Sequence, residues 1–370
     1  MAATRLKIPQ RILLVVTLRI GDVLLATPLL RSLRQAWPQA RIDVLVFEHT
    51  EGVLLANPDI QRVITVPARP GLWKHLKLAA SLLRRYDLAL TTLMGDRPVL
   101  YTWIAGRTRV GMLDGSSKHR WKQYLLSRWA AFDDLATHTV LMNLKLADLL
   151  GIQRSHEIVV SWGAADEQAV MAALPFDINS EIFVVLHMYP KFAYKMWRRD
   201  GWVELAQWLN GNGMRCVLSG GNAADETAYV GEISRSMPTA TVNLAGKLSL
   251  TESAFLISRA KFYVGPDTAL THMAAALGIP TVALFGPSNP VKWGPWPKRH
   301  AQNHNPYRMR GTQRVDNVVL LQGEGDCVPC MQEGCERHIA SLSDCLQNLP
   351  TAKVIAAIQE LSVATWQPTR

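Results

Sequence analysis

Two turns rich in proline, hydroxyl and acidic residues follow consecutive apolar strands in the segment FYVGPDTALTHMAAALGIPTVALFGPSNP, residues 262–290. The first turn ends in Asp267 and Thr268, and the second begins at Gly286. Both turns are expected at the carboxyl edge of one parallel sheet, which is where open α/β sheets bind ligands. A predicted helix follows Thr268, and its free N–H groups and positive dipole end favour a phosphate. The sequence therefore predicts a nucleotide-diphosphate site without a Walker lysine motif.

Charged residues follow two other predicted strands. Lys195 lies in a long basic turn after the strand 182–187, where it either neutralises a diphosphate or is simply solvated. Asp22 opens the helix that follows the first strand, where it either complements the helix dipole or projects into a cleft as a general base. The turn between the first strand and the helix that Asp22 opens has no G-x-G-x-x-G motif. Its absence argues against the alternative of a dinucleotide-dependent dehydrogenase.

Paired glycines follow the predicted strand 215–219 and precede the acids Asp225 and Glu226. The glycines leave space for a nucleoside, and either acid could accept hydrogen bonds from ribose hydroxyls, as acids after strands do in nucleotide-binding folds. The alternative is that both are ordinary acids of a first helical turn. His272, on the helix after Asp267, could touch a phosphate or brace the loop, although single helix histidines are more often structural.

Four of the five cysteines lie near the C-terminus, at Cys327, Cys330, Cys335 and Cys345. One C-x-x-C followed by two further thiols could bind a structural Zn²⁺ ion. The spacing differs from the paired C-x-x-C knuckles of zinc ribbons, so unpaired thiols are the favoured interpretation. No other group of His, Cys, Asp or Glu in the sequence has a metal-binding spacing. We expect chemistry that requires no metal or other cofactor.

The elements that must position these residues alternate between strand and helix patterns along 370 residues, a length that suits two domains. Strands separated by helices predict an α/β fold with parallel sheets and right-handed crossovers. The first long helix is predicted over 21–37. The pattern becomes irregular at 152–180 and then restarts, so we predict two Rossmann-like domains that face a cleft. Their predicted limits are 1–165 and 180–348, and a last helix lies within 349–370.

The charge balance favours anionic partners. The sequence has 40 Lys+Arg against 30 Asp+Glu, a formal charge of +10, and 48% hydrophobic residues. Phosphorylated substrates and acidic lipid head groups fit this balance, whereas the lack of nucleic-acid-binding motifs argues against nucleic acid. The N-terminus lacks the apolar region of a signal peptide, and no segment reaches membrane-spanning length. We therefore expect a cytoplasmic protein that rests on a membrane surface.

Three segments together resemble the heptosyltransferases of lipopolysaccharide core assembly, family 9 of the glycosyltransferases. They are RILLVVTLRIGDVLLATPLLRSLRQAWPQARIDVL near the start, KMWRRDGWVELAQWL in the middle, and VGPDTALTHMAAALGIPTVALFGPSNP. The resemblance covers nearly the whole chain. It implies a GT-B fold, in which the last helix packs back on the first domain. It also implies inverting transfer of L-glycero-D-manno-heptose from ADP-L-glycero-D-manno-heptose, the donor, to the lipopolysaccharide inner core.

The resemblance also implies roles for individual residues. Asp22 matches the family's proposed catalytic base, Lys195 the lysine that contacts the donor phosphates, and Asp267 the aspartate that holds the heptose hydroxyls. Glu226 or, with a shift of one position, Asp225 matches the acid on the adenosine ribose. The other residues of the implied donor site are Met188, Gly265, Thr268, Ala269 and His272.

The turn that carries Lys195 departs from some relatives, which place hydroxyl residues where this chain has Pro190 and Lys191. The segment IDVLVFEHTEGVLLANPDIQRVITV is closest to the branch that adds a third, side-branch heptose, so we predict that activity. The alternatives are enzymes that add the first or second heptose, other nucleotide-sugar transferases, and a non-catalytic scaffold. The predicted acceptor is an inner-core glycolipid at the cytoplasmic face of the inner membrane. The predicted contacts for the phosphates of this acceptor are Arg19, Lys118, Arg120 and Lys122.

Overall fold

The computed structural model describes residues 7–69 and 71–365, without the side chains of Lys118 and of residues 363–365. In this part of the chain, strands and helices alternate almost throughout, as the sequence pattern predicts. None of the described helices is long and apolar enough to cross a membrane.

The chain forms two compact units. The first unit ends at Val159 and also includes Ala301–His304. The second unit comprises Val160–His300 and the chain from Asn305 onward. Each unit is built around its own sheet, so the prediction of two α/β units in succession is confirmed.

The described strands and helices of the first unit are, in chain order, β1 (Arg11–Val16), α1 (Ile20–Leu24), α2 (Thr27–Ala36), β2 (Arg41–Phe47), β3 (Arg62–Val66), α3 (Leu72–Leu82), β4 (Tyr86–Thr91), α4 (Asp96–Ala105), β5 (Gly106–Leu113), β6 (Arg128–Ala131) and α5 (Thr139–Leu150), with 3₁₀ turns at Glu51–Leu54 and Ser117–Tyr124.

The sheet of the first unit is parallel, in the order β3-β2-β1-β4-β5-β6. β1 pairs with both β2 and β4, so the strand order reverses beside it, which is the switch point of a doubly wound Rossmann sheet. The sequence of β1, RILLVV, is buried from its second residue onward. Such near-continuous apolar runs are typical of parallel strands that are covered on both faces. Whatever follows β1 therefore lies where this fold binds ligands.

The segment 21–37, predicted as one helix, is divided into α1 and α2. Pro28 lies in the first turn of α2 and has no N–H with which to bond the carbonyl oxygen of Leu24, four residues earlier. The hydroxyl of Thr27 donates a 2.8 Å hydrogen bond to that oxygen instead. The Thr27-Pro28 pair therefore causes the break between α1 and α2, and the prediction of a single helix is wrong.

The described elements of the second unit are, in chain order, α6 (Ala164–Ala173), β7 (Phe183–His187), α7 (Arg199–Gly211), β8 (Arg215–Ser219), α8 (Ala224–Ser234), β9 (Val242–Asn243), α9 (Leu250–Arg259), β10 (Phe262–Pro266), α10 (Ala269–Leu277), β11 (Thr281–Phe285), α11 (Pro290–Trp293), β12 (Gln313–Val315), β13 (Val318–Gln322), α12 (Asp344–Gln347) and α13 (Thr351–Thr365), with a 3₁₀ turn at Ala193–Lys195.

The second sheet has the order β12-β13-β11-β10-β7-β8-β9. Only β12 is antiparallel to its neighbour among these strands. Apart from this edge strand the order is again that of a Rossmann sheet, with the switch point between β7 and β10. The irregular stretch predicted at 152–180 contains α6, whose sequence AADEQAVMAA is a good helix former.

The last helix, α13, packs on the second unit. Val354, Ala357, Ile358 and Leu361 repeat at helical spacing and are buried in the core that covers one face of the second sheet. The helix lies against α7, β11 and β13. The described part of α13 thus packs on the second unit, and the expectation that the last helix also packs back on the first domain stays a prediction. Residues 366–370 of the predicted C-terminal segment lie outside the described chain.

Candidate functional site

Lys195 and Asp267 meet at the switch point of the second sheet. Lys195 ends the 3₁₀ turn in the loop after β7, and Asp267 directly follows β10, the neighbouring strand. The Lys195 ammonium donates a hydrogen bond of 2.6 Å from Nζ to Asp267 Oδ2. The two side chains are 19% and 8% exposed, so the pair is largely shielded from water and Lys195 is the more accessible partner. Two residues predicted for the donor site are thereby brought together.

The environment keeps the Asp267 carboxylate ionised. Burial alone disfavours its charged form, but the charge of Lys195, followed by the neighbouring His272 and by hydrogen bonds from Lys195 and Ser288, holds its pKa below the ordinary value. His272 Nε2 lies 3.9 Å from Asp267 Oδ1. Burial lowers the pKa of His272 to about 4, against the opposing effect of Asp267. At neutral pH the imidazole is therefore uncharged, and Lys195 is the cation that balances Asp267.

A network of hydroxyl groups holds the turn before α10. The Thr271 hydroxyl oxygen donates a 2.5 Å hydrogen bond to the Pro266 carbonyl and lies 3.1 Å from the Tyr263 hydroxyl. Thr268 is the N-cap residue of α10 in extended conformation, and its side chain makes no capping hydrogen bond. The first N–H groups of this nine-residue helix, which begins at Ala269, are therefore not capped by Thr268 and suit an anion.

Two other predicted donor residues have packing roles. Gly265 lies near the end of β10, where an added Cβ would approach the Tyr263 hydroxyl oxygen to 2.6 Å, so a larger residue would displace that ring. Met188 is fully buried in the apolar core that also contains Trp197. The side chain of Met188 therefore lies in the core, and the predicted donor contact of Met188 stays a prediction.

The predicted acid pair lies at the same sheet edge, after β8, which neighbours β7. The Gly221 N–H donates a 2.6 Å hydrogen bond to Glu226 Oε1. Burial raises the pKa of Glu226, although the bond from Gly221 opposes this effect. A Cβ on Gly220 would lie 3.0 Å from Glu226 Oε1, so the paired glycines make room for this carboxylate. Asp225 is exposed, and a hydrogen bond from Tyr189 lowers its pKa.

Two polar residues that the sequence motifs did not single out support this edge. Tyr189 donates a 2.8 Å hydrogen bond to Asp225 Oδ2 and thereby links the turn after β7 to the turn after β8. Ser288, in the turn after β11, makes a hydrogen bond to the Asp267 carboxylate. Both lie in turns that the sequence places at the sheet edge, and this position is the signal from which they could have been found.

In the first unit, Asp22 lies in the first turn of α1, directly after β1 and beside the switch point of that sheet. Its side chain is partly exposed. Arg19, the N-cap residue of α1, and Arg120, in the 3₁₀ turn after β5, are both exposed. The side chain of Lys118 lies outside the described part of the structure. The geometry thus leaves Asp22, Arg19 and Arg120 accessible from solvent.

Lys122 has a different environment from the other predicted acceptor contacts. Its side chain is 1% exposed. Its ammonium lies 2.7 Å from a carboxylate oxygen of Asp96 and donates a 2.6 Å hydrogen bond to the Met94 carbonyl. Lys122 therefore joins the 3₁₀ turn to the start of α4, and we assign it a structural role in place of a phosphate contact.

The five cysteines are free thiols. Cys335 Sγ accepts a 3.3 Å hydrogen bond from the Asp344 N–H, next to Cys345. Burial, followed by the neighbouring thiols, raises the pKa of Cys345 to about 12. Among the described residues, no group of three or more His, Cys, Asp or Glu side chains is placed to hold a metal ion. The predicted zinc site thus gains no support from these side-chain positions.

Two Rossmann-like units, with a cation–carboxylate pair and a helix N-terminus at the switch point of the second sheet, form a site that suits a phosphate-bearing ligand. The chain belongs to glycosyltransferase family 9 (heptosyltransferase), whose family model matches residues 75–319. The family predicted from the sequence motifs is thereby confirmed, and the chain is a glycosyltransferase.

Individual relatives agree with this family. The chain is 30% identical over 292 residues to lipopolysaccharide heptosyltransferase 3 of Escherichia coli (strain K12), covering 75% of this chain and 82% of the relative. A family 9 glycosyltransferase from Veillonella parvula has a similar solved structure, with a TM-score of 0.78, 20% identity and coverage of 98% and 99%. The solved ADP-heptose lipopolysaccharide heptosyltransferase II of E. coli matches with a TM-score of 0.72, 22% identity and coverage of 96% and 99%. The predicted GT-B fold is confirmed.

Proposed function

We propose that this protein transfers L-glycero-D-manno-heptose from ADP-heptose to the lipopolysaccharide inner core, as the third, side-branch heptose. The observation that carries the proposal is the Lys195–Asp267 pair at the switch point of the second sheet, in a chain of glycosyltransferase family 9. The similarity to a relative named lipopolysaccharide heptosyltransferase 3 supports the choice of branch.

The donor binds the second unit in this proposal. The diphosphate lies at the N-terminus of α10, where Thr268, Ala269 and backbone N–H groups surround it, and the Lys195 ammonium adds the opposite charge. Asp267, kept ionised, accepts hydrogen bonds from the heptose hydroxyls. Glu226, beside the paired glycines, accepts hydrogen bonds from the ribose, with exposed Asp225 as the alternative.

The chemical step is an inverting displacement. The acceptor hydroxyl oxygen attacks the anomeric carbon from the face opposite the diphosphate, the carbon–oxygen bond to ADP breaks, and Asp22 takes the hydroxyl proton. Negative charge that develops on the departing diphosphate is stabilised by Lys195 and the start of α10. Exposed Arg19 and Arg120, with Lys118, are the proposed contacts for acceptor phosphates. No metal or other cofactor takes part in the proposed reaction.

The experiment that tests this proposal is mass analysis of defined inner-core acceptors after incubation with ADP-heptose and the purified protein. Acceptors with one and with two heptoses are compared. We expect the two-heptose acceptor to gain one heptose. A gain on shorter acceptors alone would assign the protein to the first- or second-heptose branch. No product on any acceptor, from folded protein, would favour another nucleotide sugar or the non-catalytic scaffold.

The site of action is part of the same proposal. A glycolipid acceptor has an acylated anchor, so the protein is proposed to work as a peripheral protein on the cytoplasmic face of the inner membrane. The formal charge of +10 supports attraction to acidic lipid head groups.

A structural Zn²⁺ ion at Cys327, Cys330, Cys335 and Cys345 is the less favoured alternative to unpaired thiols, and it rests on one C-x-x-C pair with two further cysteines. Elemental analysis of protein purified without added metal tests it. About one zinc per chain would support the site, and less than a tenth of that would remove it.

A further inference from the structure

Helix α3 presents an apolar surface to solvent. Leu72, Trp73 and Leu76 are 71%, 83% and 52% exposed, and Leu83, directly after the helix, is 62% exposed. At 3.6 residues per turn these four positions fall on one side of the helix. Isolated exposed apolar residues are common on protein surfaces. A continuous apolar stripe, in contrast, indicates a surface that interacts with a protein, a ligand or a membrane.

The stripe does not result from a helix that is poorly attached. On its inner side α3 buries Leu82 and packs Leu78 against the core of the first unit. His75 stacks on Tyr101 of α4, with ring centroids 6.0 Å apart, and its Nδ1 lies 2.8 Å from the Tyr101 hydroxyl oxygen. The helix is therefore fixed by one face, and the opposite apolar residues are held outward.

The segment that contains the stripe is rich in basic residues. Between Ile60 and Tyr86 the sequence contains no Asp or Glu. The same segment contains six basic residues, namely Arg62, Arg69, Lys74, Lys77, Arg84 and Arg85. On α3 itself, Lys74 and Lys77 are exposed and lie beside the apolar side chains. This surface is thus both apolar and strongly positive.

Helix α4, which packs against α3, carries two further exposed apolar side chains. Leu100 and Trp103 are 40% and 38% exposed. The Arg84 guanidinium lies 6.0 Å from the centre of the Trp103 ring, which places a cation beside that aromatic side chain. Exposed tryptophans next to lysines and arginines are typical of segments that lie at the level of lipid head groups, because the ring enters the boundary while the cations meet phosphates.

We propose that the face formed by Leu72, Trp73, Leu76, Leu83, Leu100 and Trp103, together with its basic rim, docks the protein on an anionic lipid surface. The positive charge of the segment favours an anionic lipid surface over a second copy of the chain. In a dimer through this face, the two positive rims would repel each other. This docking face rests on the proposed function, in which the acceptor is anchored in a membrane. The face would hold the enzyme beside that acceptor.

The test is co-sedimentation of the full-length protein with vesicles of phosphatidylethanolamine and phosphatidylglycerol, and with vesicles of phosphatidylcholine alone. We expect binding to the anionic vesicles that weakens as salt rises. Two variants probe the face: Leu72→Ser/Trp73→Ser/Leu76→Ser removes the apolar stripe, and Lys74→Glu/Lys77→Glu reverses its charge. Each is expected to reduce binding on the order of tenfold or more.

The matched control is Lys247→Glu/Lys261→Glu, which makes the same charge change at exposed positions of the second unit. We expect it to bind anionic vesicles within about twofold of wild type. Equal loss in the control and the α3 variants would overturn the assignment of this face. So would wild-type binding by both α3 variants, or conversion of a wild-type dimer into monomers by the apolar variant.

A second assay separates this inference from the proposed function. ADP release is measured with a water-soluble, deacylated acceptor, which needs no membrane, and the α3 variants are expected to retain wild-type turnover. Normal turnover without vesicle binding by wild type would overturn the docking face alone. Vesicle binding that depends on α3, without heptosyl transfer, would support the docking face and overturn the proposed reaction.

Discussion

The ammonium of Lys195 and the carboxylate of Asp267 are joined by a 2.6 Å hydrogen bond between loops that leave neighbouring strands of the second sheet. Because Asp267 is 8% exposed, this cation is the main compensation for a buried negative charge at neutral pH. We therefore propose two roles for Lys195. It binds the donor diphosphate, and it keeps Asp267 ionised so that this carboxylate can bind the heptose hydroxyls.

Replacing Lys195 tests both roles. Lys195→Ala is expected to lower kcat/KM for ADP-heptose on the order of 100-fold, because it removes a phosphate contact and leaves Asp267 unbalanced. Steady-state kinetics with varied donor measure the effect. Lys191→Ala, an exposed lysine in the same loop, is the control and is expected to change little. Similar losses in the two variants would show that general loop charge, and not this ion pair, supports donor use.

The paired glycines provide a test of the ribose contact. Gly220→Ala would bring a Cβ to 3.0 Å from Glu226 Oε1 and push the carboxylate aside. We expect this change and Glu226→Ala each to weaken ADP binding about tenfold, the scale of a lost charged hydrogen bond. Calorimetric titration with ADP measures it. A larger loss in Asp225→Ala would transfer the ribose role to Asp225.

Buried histidines predict a pH dependence of stability. Burial lowers the pKa of His187 and of His272 to about 4, from an ordinary value of 6.5. Between these values the unfolded chain binds more protons than the native protein, so the free energy of unfolding falls as the pH drops from about 6.5 to about 4. Each histidine contributes up to about 1.4 kcal/mol per pH unit.

Urea unfolding of wild type and His272→Asn at several pH values within this range measures that slope. The variant is expected to show a shallower dependence, whereas His338→Asn, at an exposed position, serves as the control and is expected to keep it. An unchanged slope in His272→Asn would mean that the pKa of His272 is not lowered in the native state.

The two basic residues of the 3₁₀ turn are expected to behave differently. Lys122→Met leaves Asp96 and the Met94 carbonyl without their cation, so we expect a loss of about 2 kcal/mol in stability. Arg120→Ala, at an exposed position, is expected to leave stability within about 0.5 kcal/mol and to raise KM for a phosphorylated acceptor. Thermal unfolding and acceptor kinetics distinguish them. A stable Lys122→Met protein with a raised acceptor KM would reverse our assignment.

Asp22 is the proposed general base. Asp22→Ala is expected to lower kcat by a factor on the order of 100 or more, with little change in the KM for ADP-heptose, because the donor binds elsewhere. The variant is checked for folding by circular dichroism. Near-normal turnover in folded Asp22→Ala protein would leave Asp22 as an ordinary first-turn acid of α1.

The sequence predicted the sheet edges well, because parallel strands are short apolar runs that end at glycine, proline or charged residues. Lys195 and Asp267 were found in this way, since each follows a strand. Helix α4 has no helical signal in its sequence, because DRPVLYTWIA is rich in residues that form helices poorly. Its partner residues, and not its own propensity, fix its structure.

Other features depend on contacts that no local pattern contains. The burial of Lys122 results from Asp96 and Met94, on a different element. The packing of α13 was transferred from a family resemblance, and the apolar face centred on Val354 and Ile358 would fit either unit until the fold is known.

In the proposed reaction this site uses ADP-heptose as its donor. The most direct measurement is ADP release from ADP-L-glycero-D-manno-heptose by wild type and Lys195→Ala, with and without a two-heptose inner-core acceptor, beside nucleoside diphosphate release from other nucleotide sugars. We predict acceptor-dependent release from ADP-heptose that exceeds release from the other donors and is largely lost in Lys195→Ala. Equal or faster release from another nucleotide sugar, or release that does not depend on Lys195, would show that ADP-heptose is not the donor bound at this site.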